Sequence, residues 1–218
     1  MEHEVVVIGG GGFARETLDV ISAENASSES RTGRPRWVVR GVVDDRLSAE
    51  NADRLERLGV THIGGLDELE EADWRGWYVV GIGSTSVRRR VADRLDEAGF
   101  RAATVVHPSA TMGADVRIGE GAVICAGVRL TTNIECGRHV HLNLNTTVGH
   151  DTKLGDFVSA NPLAAISGDC TIGSGVLIGV AAVVLNGLDV GQDATVGGSA
   201  CVVRNVDPGV VVKGVPAR

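Results

Sequence analysis

Large rings are scarce in this chain of 218 residues, where aromatic residues make up 3%. A core with so few of them has to be filled by aliphatic side chains packed in a regular way. That points to a repeat architecture, and the 30 glycines agree with it. No stretch approaches the ~18 uninterrupted apolar residues of a membrane-spanning helix, and no charged segment followed by an apolar run opens the chain. Positive charge is not in excess either, with 21 Lys and Arg against 28 Asp and Glu and a net charge of −7. This balance argues against nucleic acid or an anionic membrane surface as a partner. The expectation is a cytoplasmic protein without membrane insertion, long enough for two small domains. The four cysteines (Cys125, Cys136, Cys170 and Cys201) form no C-x-x-C pair. They read as small apolar fillers in a reduced compartment, not as a zinc knuckle or redox motif.

What is abundant is a period of six. Stepping by six from Met112 visits Ile118, Ile124, Leu130, Cys136, Leu142, Val148, Leu154, Ala160, Ile166, Ile172, Ile178, Val184, Val190, Val196 and Val202, and all sixteen positions are apolar. In nine of the sixteen the next residue is glycine, for example Gly119, Gly149 and Gly173. This period fits neither an α-helix nor an isolated amphipathic strand. It fits a parallel β-helix whose coil is three short strands, each with an inward aliphatic and a tight corner at the glycine. A generic β-sandwich would not hold one register for so long. With no insertion between Met112 and Val202, residues 18 apart stack, giving a little over five coils. His150 then has Thr132 below it, with Gly168 and Asn186 above.

The first half reads differently. Glu4–Ile8 is a buried strand leading into Gly9-Gly10-Gly11-Gly12-Phe13-Ala14, a G-x-G-x-x-A turn, and an amphipathic helix over Phe13–Ser22. Glycines at such a turn let backbone N–H groups approach a phosphate at the positive helix end. A polar stretch, Glu24–Pro35, reads as an exposed loop. A second strand, Trp37–Val43, ends at Asp44-Asp45, where a Rossmann-like domain grips a sugar hydroxyl; a solvated turn is the plainer alternative. Further on come a helix near Ser48–Leu58, a turn at Gly64-Gly65, a strand Trp77–Ile82, Gly83-Ser84, a helix Val87–Ala98 and a strand Ala103–Val106. The alternation predicts a Rossmann-like α/β domain over residues 1–106 and the β-helix over 107–218. The first domain is too small for both halves of NAD, so a mononucleotide or nucleotide-sugar suits it better.

Of six histidines, His3 lies at the terminus, His62 in a loop and His107 before a proline. His139 and His141 flank Val140 and are expected to face outward. His150, in V-G-H-D beside Asp151, is the candidate base near neutral pH. The three solenoid histidines fall at different points of the hexapeptide, so no metal site is expected.

The strings NLNTTVGHDTKLGDFV, VVKGVPAR, HPSA and VVVIGGGGFARE together resemble the bacterial sugar O-acyltransferases of the sialic-acid type and the nucleotide-amino-sugar N-acetyltransferases of the bacillosamine type. The resemblance runs over essentially the whole chain. It implies a left-handed β-helix, a homotrimer with active sites between neighbouring β-helices, acetyl-CoA along the solenoid and a nucleotide-sugar on the first domain. It implies His150 as general base and Asp151 as the acid that tunes it. By the same resemblance, Gly9 to Ala14 with Asp44, Asp45, Gly83 and Ser84 contact the nucleotide-sugar, and Gly168, Val180 and Gly198 lie beside the coenzyme. Ser159 stands where bacillosamine-type enzymes often carry a second, coenzyme-contacting histidine, so that contact is altered or lost.

The expected reaction is acetyl-CoA-dependent N-acetylation of a nucleotide-linked amino sugar by direct transfer, without metal. No cysteine lies in the His150 column to carry an acyl group, and the side-chain-free column at Gly168 leaves room for the coenzyme. The alternatives are a sialic-acid-type O-acetyltransferase, a non-catalytic trimer that binds sugar nucleotides and a zinc-dependent hydratase. The sugar, the nucleotide and the acyl group stay open.

Overall fold

The computed structural model describes residues 3–218. The chain divides into two compact units, one ending at Val105 and the other beginning at Val106.

The first unit is built on four parallel strands: β1 (His3–Ile8), β2 (Trp37–Val43), β3 (Trp77–Val80) and β4 (Arg101–Ala102), in the order β2-β1-β3-β4. The runs VVVI of β1 and YVV of β3 are fully or almost fully buried, as strands covered on both faces must be. The connections are α1 (Gly12–Thr32), α2 (Ala49–Arg57), α3 (Leu66–Glu71) and α4 (Thr85–Glu97). The chain leaves β1 towards β2 on one side and returns to β3 on the other. The loops after β1 and β3 therefore part, opening a crevice at the carboxyl ends of the strands.

Helix α1 runs ten residues past the expected end at Ser22 and takes in most of the stretch expected to be a loop. The serines of this segment are weak helix formers, but tertiary contacts override them. The Asn25 side chain accepts the backbone N–H of Trp37 at 2.9 Å and donates to the Trp37 carbonyl at 2.7 Å, while Glu24 accepts the Trp37 indole N–H at 3.0 Å. Gly33, at φ 73°, ends the helix with its N–H on the Glu29 carbonyl. Of the expected strand Ala103–Val106 only Val105–Val106 forms, and it opens a sheet of the solenoid; Arg101–Ala102, just before the expected start, pairs with β3.

The solenoid has parallel sheets of five, seven and six strands. From Val116 to Val202 each strand residue pairs with the one 18 positions on, as in Thr147↔Ala165, Val148↔Ile166 and Val183↔Cys201, and the last coil shortens the step to 16, as in Thr195↔Val211. The positions of the six-residue series from Ile124 to Val202 fill the core, together with the residues two before them, such as Val128, Val140 and Ala164. The coil runs past the expected limits of the repeat, with Val105–Val106 at one end of the seven-stranded sheet and Val211–Val212 at the other.

The glycines of the repeat have a different reason from the one expected. The residue that turns each corner lies two positions further on, at φ between 51° and 63° in Asp115, Asn133, His139, Asn145, Asp151, Phe157, Leu163 and Asp169. Short polar side chains tolerate this left-handed conformation best. The glycines after the apolar positions are there for close stacking instead. A Cβ at Gly119 would lie 2.5 Å from the Gly137 carbonyl oxygen of the next coil.

His139 and His141 are buried, not outward-facing, at 0% and 3% exposure. Alternation does not apply to His139, which sits at a corner (φ 51°) and stacks on Phe157 with ring centroids 5.2 Å apart. His141 does alternate with the core residue Leu142, but the outer face of its sheet is covered along Val123, His141 and Ser159.

Candidate active site

His150 and Asp151 occupy one corner of the solenoid. Neighbouring residues of a strand point to opposite faces, so side chains at consecutive positions meet only if the backbone turns. Asp151 makes that turn with φ 60°, and its Oδ2 lies 2.7 Å from His150 Nδ1. The corner stacks as the register requires: Asp151 N–H donates to the Thr132 carbonyl below, and the His150 carbonyl accepts from Asp169 N–H above. Inside the coil, the buried Thr152 hydroxyl donates to the Ser167 carbonyl at 3.1 Å, tying this corner to the next coil.

Asn133, one coil below, was not among the residues singled out in the sequence. Its amide Nδ2 donates to Asp151 Oδ1 at 2.6 Å. Asn133 first, and His150 second, hold the Asp151 carboxyl below the usual carboxylate range. An ionised carboxylate only accepts, so Nδ1 of His150 is the donor and Nε2 carries the lone pair. Both side chains stay open to solvent, at 62% and 48% exposure. Nε2 leans over Gly168, where an added Cβ would lie 2.5 Å away. The absent side chain at Gly168 makes room for the imidazole.

The other expected coenzyme residues are not gathered at this corner. Val180 (49% exposed) and Gly198 stack in a second corner column, where the Val180 carbonyl accepts from Ser199 N–H. The strands Ala165–Ile166 and Val183–Val184 run between the two corners. Ser159 lies on the seven-stranded sheet and is 4% exposed.

The first unit has its own cavity, of about 530 Å³, at the carboxyl ends of β1, β2 and β3. Gly9, Asp44 and Asp45 line it, while Gly10 to Ala14, Gly83 and Ser84 do not. Asp44 clasps two loops: Oδ2 accepts Gly10 N–H at 2.6 Å and Oδ1 accepts Arg46 N–H at 2.8 Å. One amide of the glycine turn is therefore already engaged. Asp45 Oδ1 accepts Leu66 N–H at 2.7 Å at the start of α3, a helix the sequence reading missed. The alanine of G-x-G-x-x-A is a packing residue: a Cβ on Gly81 would lie 2.5 Å from Ala14 Cα. Ser84 caps α4, accepting from Val87 N–H.

Three arginines on the wall, Arg46, Arg90 and Arg94, were also missed. Val87, Arg90, Val91 and Arg94 fall at the i, i+3, i+4, i+7 spacing that puts them on one face of α4, a signal present in the sequence. Arg94 is tied to Glu70 at 2.5 and 2.9 Å and to Asp67 at 2.5 Å. This pairing lowers the Glu70 pKa. Among the described residues no group of three or more His, Cys, Asp or Glu is placed to hold a metal ion, and no helix is long and apolar enough to cross a membrane.

Comparison with known proteins converges on one reading. Residues 4–95 match the PglD N-terminal domain family. GDP-perosamine N-acetyltransferase of Escherichia coli O157:H7 is 30% identical over 162 residues, 74% of this chain and 69% of that protein. UDP-N-acetylbacillosamine N-acetyltransferase of Bacillus subtilis is 28% identical over 56% of this chain and 51% of that protein. Among solved structures, a mutant perosamine N-acetyltransferase from Caulobacter crescentus, in complex with CoA and GDP-perosamine, superposes with a TM-score of 0.85 at 29% identity, over 99% of this chain and 95% of that one. A hexapeptide solenoid that follows a small Rossmann-like unit in the chain, with a histidine–carboxylate pair exposed at a corner, defines the protein as an acyltransferase. The chain belongs to the family of sugar acyltransferases that includes the GDP-perosamine and bacillosamine N-acetyltransferases.

Proposed function

We propose that the protein transfers the acetyl group of acetyl-CoA to the amine of a nucleotide-linked amino sugar, with His150 as general base. The observation that carries this reading is the geometry at the corner. Asp151 holds Nδ1 at 2.7 Å and leaves Nε2 as a basic lone pair at the surface. Nε2 takes the proton of the amine as its nitrogen bonds to the thioester carbonyl. The C–S bond then breaks, and the thiolate of CoA receives the proton. A positioned base of this kind contributes about 10²–10⁴-fold. Asp151 stabilises the imidazolium that forms between the two steps.

The corner also supports a place for the thioester oxyanion. In a neighbouring column the side chain one coil up caps the backbone N–H below, Asp156 on Arg138 at 2.8 Å and Ser174 on Asp156 at 3.2 Å. Gly168 has no side chain to cap the His150 N–H in this way, so backbone donors near Gly168 suit the developing charge.

The cavity of the first unit suits the nucleotide: it sits at the switch point of the sheet and has the cations Arg46 and Arg90 on its wall. The division of labour falls at about residue 106, with nucleotide-sugar binding before it and transfer after it. GDP-perosamine, which the Escherichia coli relative acetylates by name, is the first acceptor to try, ahead of a sialic-acid hydroxyl. Gly168, Val180 and Gly198 flank the path of acetyl-CoA, and Ser159 is assigned to it more weakly because it is buried. Leu163, Val180, Leu185 and Val203 leave 41–57% of their surface exposed beside the six-stranded sheet, which supports a homotrimer that covers them. Four free thiols are in keeping with a cytoplasmic location.

The test is release of CoA from acetyl-CoA in the presence of GDP-, UDP- and dTDP-linked amino sugars. Release with one of these, and none with free sialic acid, is expected. The reverse pattern sinks the amine assignment.

A further inference from the structure

The corner column that contains Asp151 runs Asp115, Asn133, Asp151, Asp169 and Gly187, each 18 residues after the last and each at positive φ. Asn133 is its one amide, and it stands directly beneath the proposed dyad. A carboxylate here, as at 115 or 169, would face Asp151 with like charge. The amide instead offers a donor, and Nδ2 meets Asp151 Oδ1 at 2.6 Å while His150 Nδ1 meets Oδ2 at 2.7 Å. The two oxygens of one carboxylate are thus held from two sides. Rotation about the terminal torsion of an aspartate is soft, so a carboxylate with only one partner swings freely. The imidazole that depends on it then loses both its orientation and its tautomer.

We propose that Asn133 is a positioning residue of the transferase: by fixing the Asp151 carboxylate it keeps the His150 ring oriented with Nε2 as the free base. This rests on the reading of His150 as base. Asn133 is not expected to touch either substrate. The low carboxyl pKa of Asp151 is the electrostatic counterpart of the same contact.

Asn133→Gly is the cleanest deletion, because glycine accepts φ 54° without strain and only the amide is removed. We expect kcat to fall about 10-fold, the size of one lost charge-assisted hydrogen bond at an exposed site. KM for both substrates should stay within about two-fold and the melting temperature should barely move. In an Asp151→Asn background the same substitution should have no further effect, since its only route to the base has gone. Asn133→Asp keeps the shape and the left-handed corner. Its defect should widen as pH rises, when both carboxylates are charged, and narrow at lower pH, when one proton bridges them. Equal losses from Asn133→Gly with and without Asp151, or a loss of kcat matched by a loss of thermal stability, overturn the proposal. So does full kcat in Asn133→Gly while His150→Ala is inactive. Full activity in His150→Ala would instead remove the base assignment beneath it, a separate outcome.

Discussion

Replacing Gly168 by alanine adds one methyl group where the structure allows none. The new Cβ would lie 2.5 Å from His150 Nε2, 2.6 Å from Cε1 and 2.9 Å from Cδ2. Carbon contacts relax at ~3.5–4.0 Å, so the imidazole has to retreat by roughly 1 Å. It cannot do so and keep both its 2.7 Å bond to Asp151 and its Nε2 over the coil above. A displacement of about 1 Å in a catalytic group costs on the order of 10²-fold in rate. The fold should tolerate the change, because Gly168 has no left-handed φ and the ring it displaces is 62% exposed on its side chain. A stability loss under about 1 kcal/mol is expected. The assay is CoA release under saturating substrates, with thermal unfolding measured on the same preparation. A folded Gly168→Ala enzyme with wild-type kcat would show that the imidazole does not work from the position it occupies here.

Three further outcomes follow from other parts of the molecule. A thiol reagent should modify at most Cys201 in the native protein, since the other three cysteines are buried and burial pushes the Cys136 thiol up to about 12; reaction of Cys125, Cys136 or Cys170 before unfolding would contradict the packing. Glu70, lowered on folding mainly by Arg94, adds stability that is present above the ordinary glutamate range and lost as pH falls through its depressed value. Glu70→Gln should therefore flatten part of the acid limb of a stability–pH curve and cost less than ~1 kcal/mol at neutral pH, because the pair is partly exposed and screened by salt. Asp44→Ala releases the Gly10 and Arg46 amides and should raise KM for the nucleotide sugar at least several-fold with little change in KM for acetyl-CoA; an equal rise in both would argue against the cavity as the nucleotide site.

The solenoid was legible because its period is dictated by geometry. One inward aliphatic every six residues has no other economical explanation, and the unbroken register stacked Gly168 on His150 before any coordinate did. What the period did not reveal was why glycine follows nine of the sixteen apolar positions. Close approach to the next coil explains Gly119 and Gly149, whereas the left-handed corners fall to Asp151 and its equivalents. The same corner explains how His150 and its sequence neighbour come to face each other. Asn133 is not legible from the column through His150, because it stacks beneath Asp151 in the adjacent column and its contact depends on both residues turning the corner at positive φ. In the first unit the pattern gives strand β2 its observed bounds, but not the last ten residues of α1, whose hold on β2 comes from Asn25 and Glu24, contacts between segments that no local propensity encodes. His139 and His141 were misplaced for a similar reason, since alternation assigns a side of the strand without saying what covers it.

The most direct test of the account is one pair of rates: CoA release from acetyl-CoA with a nucleotide-linked amino sugar, by the wild-type protein and by His150→Ala. The account predicts turnover by the wild type and a loss of roughly 10²–10⁴-fold in the variant, with its fold and its binding of the nucleotide sugar intact. Equal rates in the two proteins would contradict it.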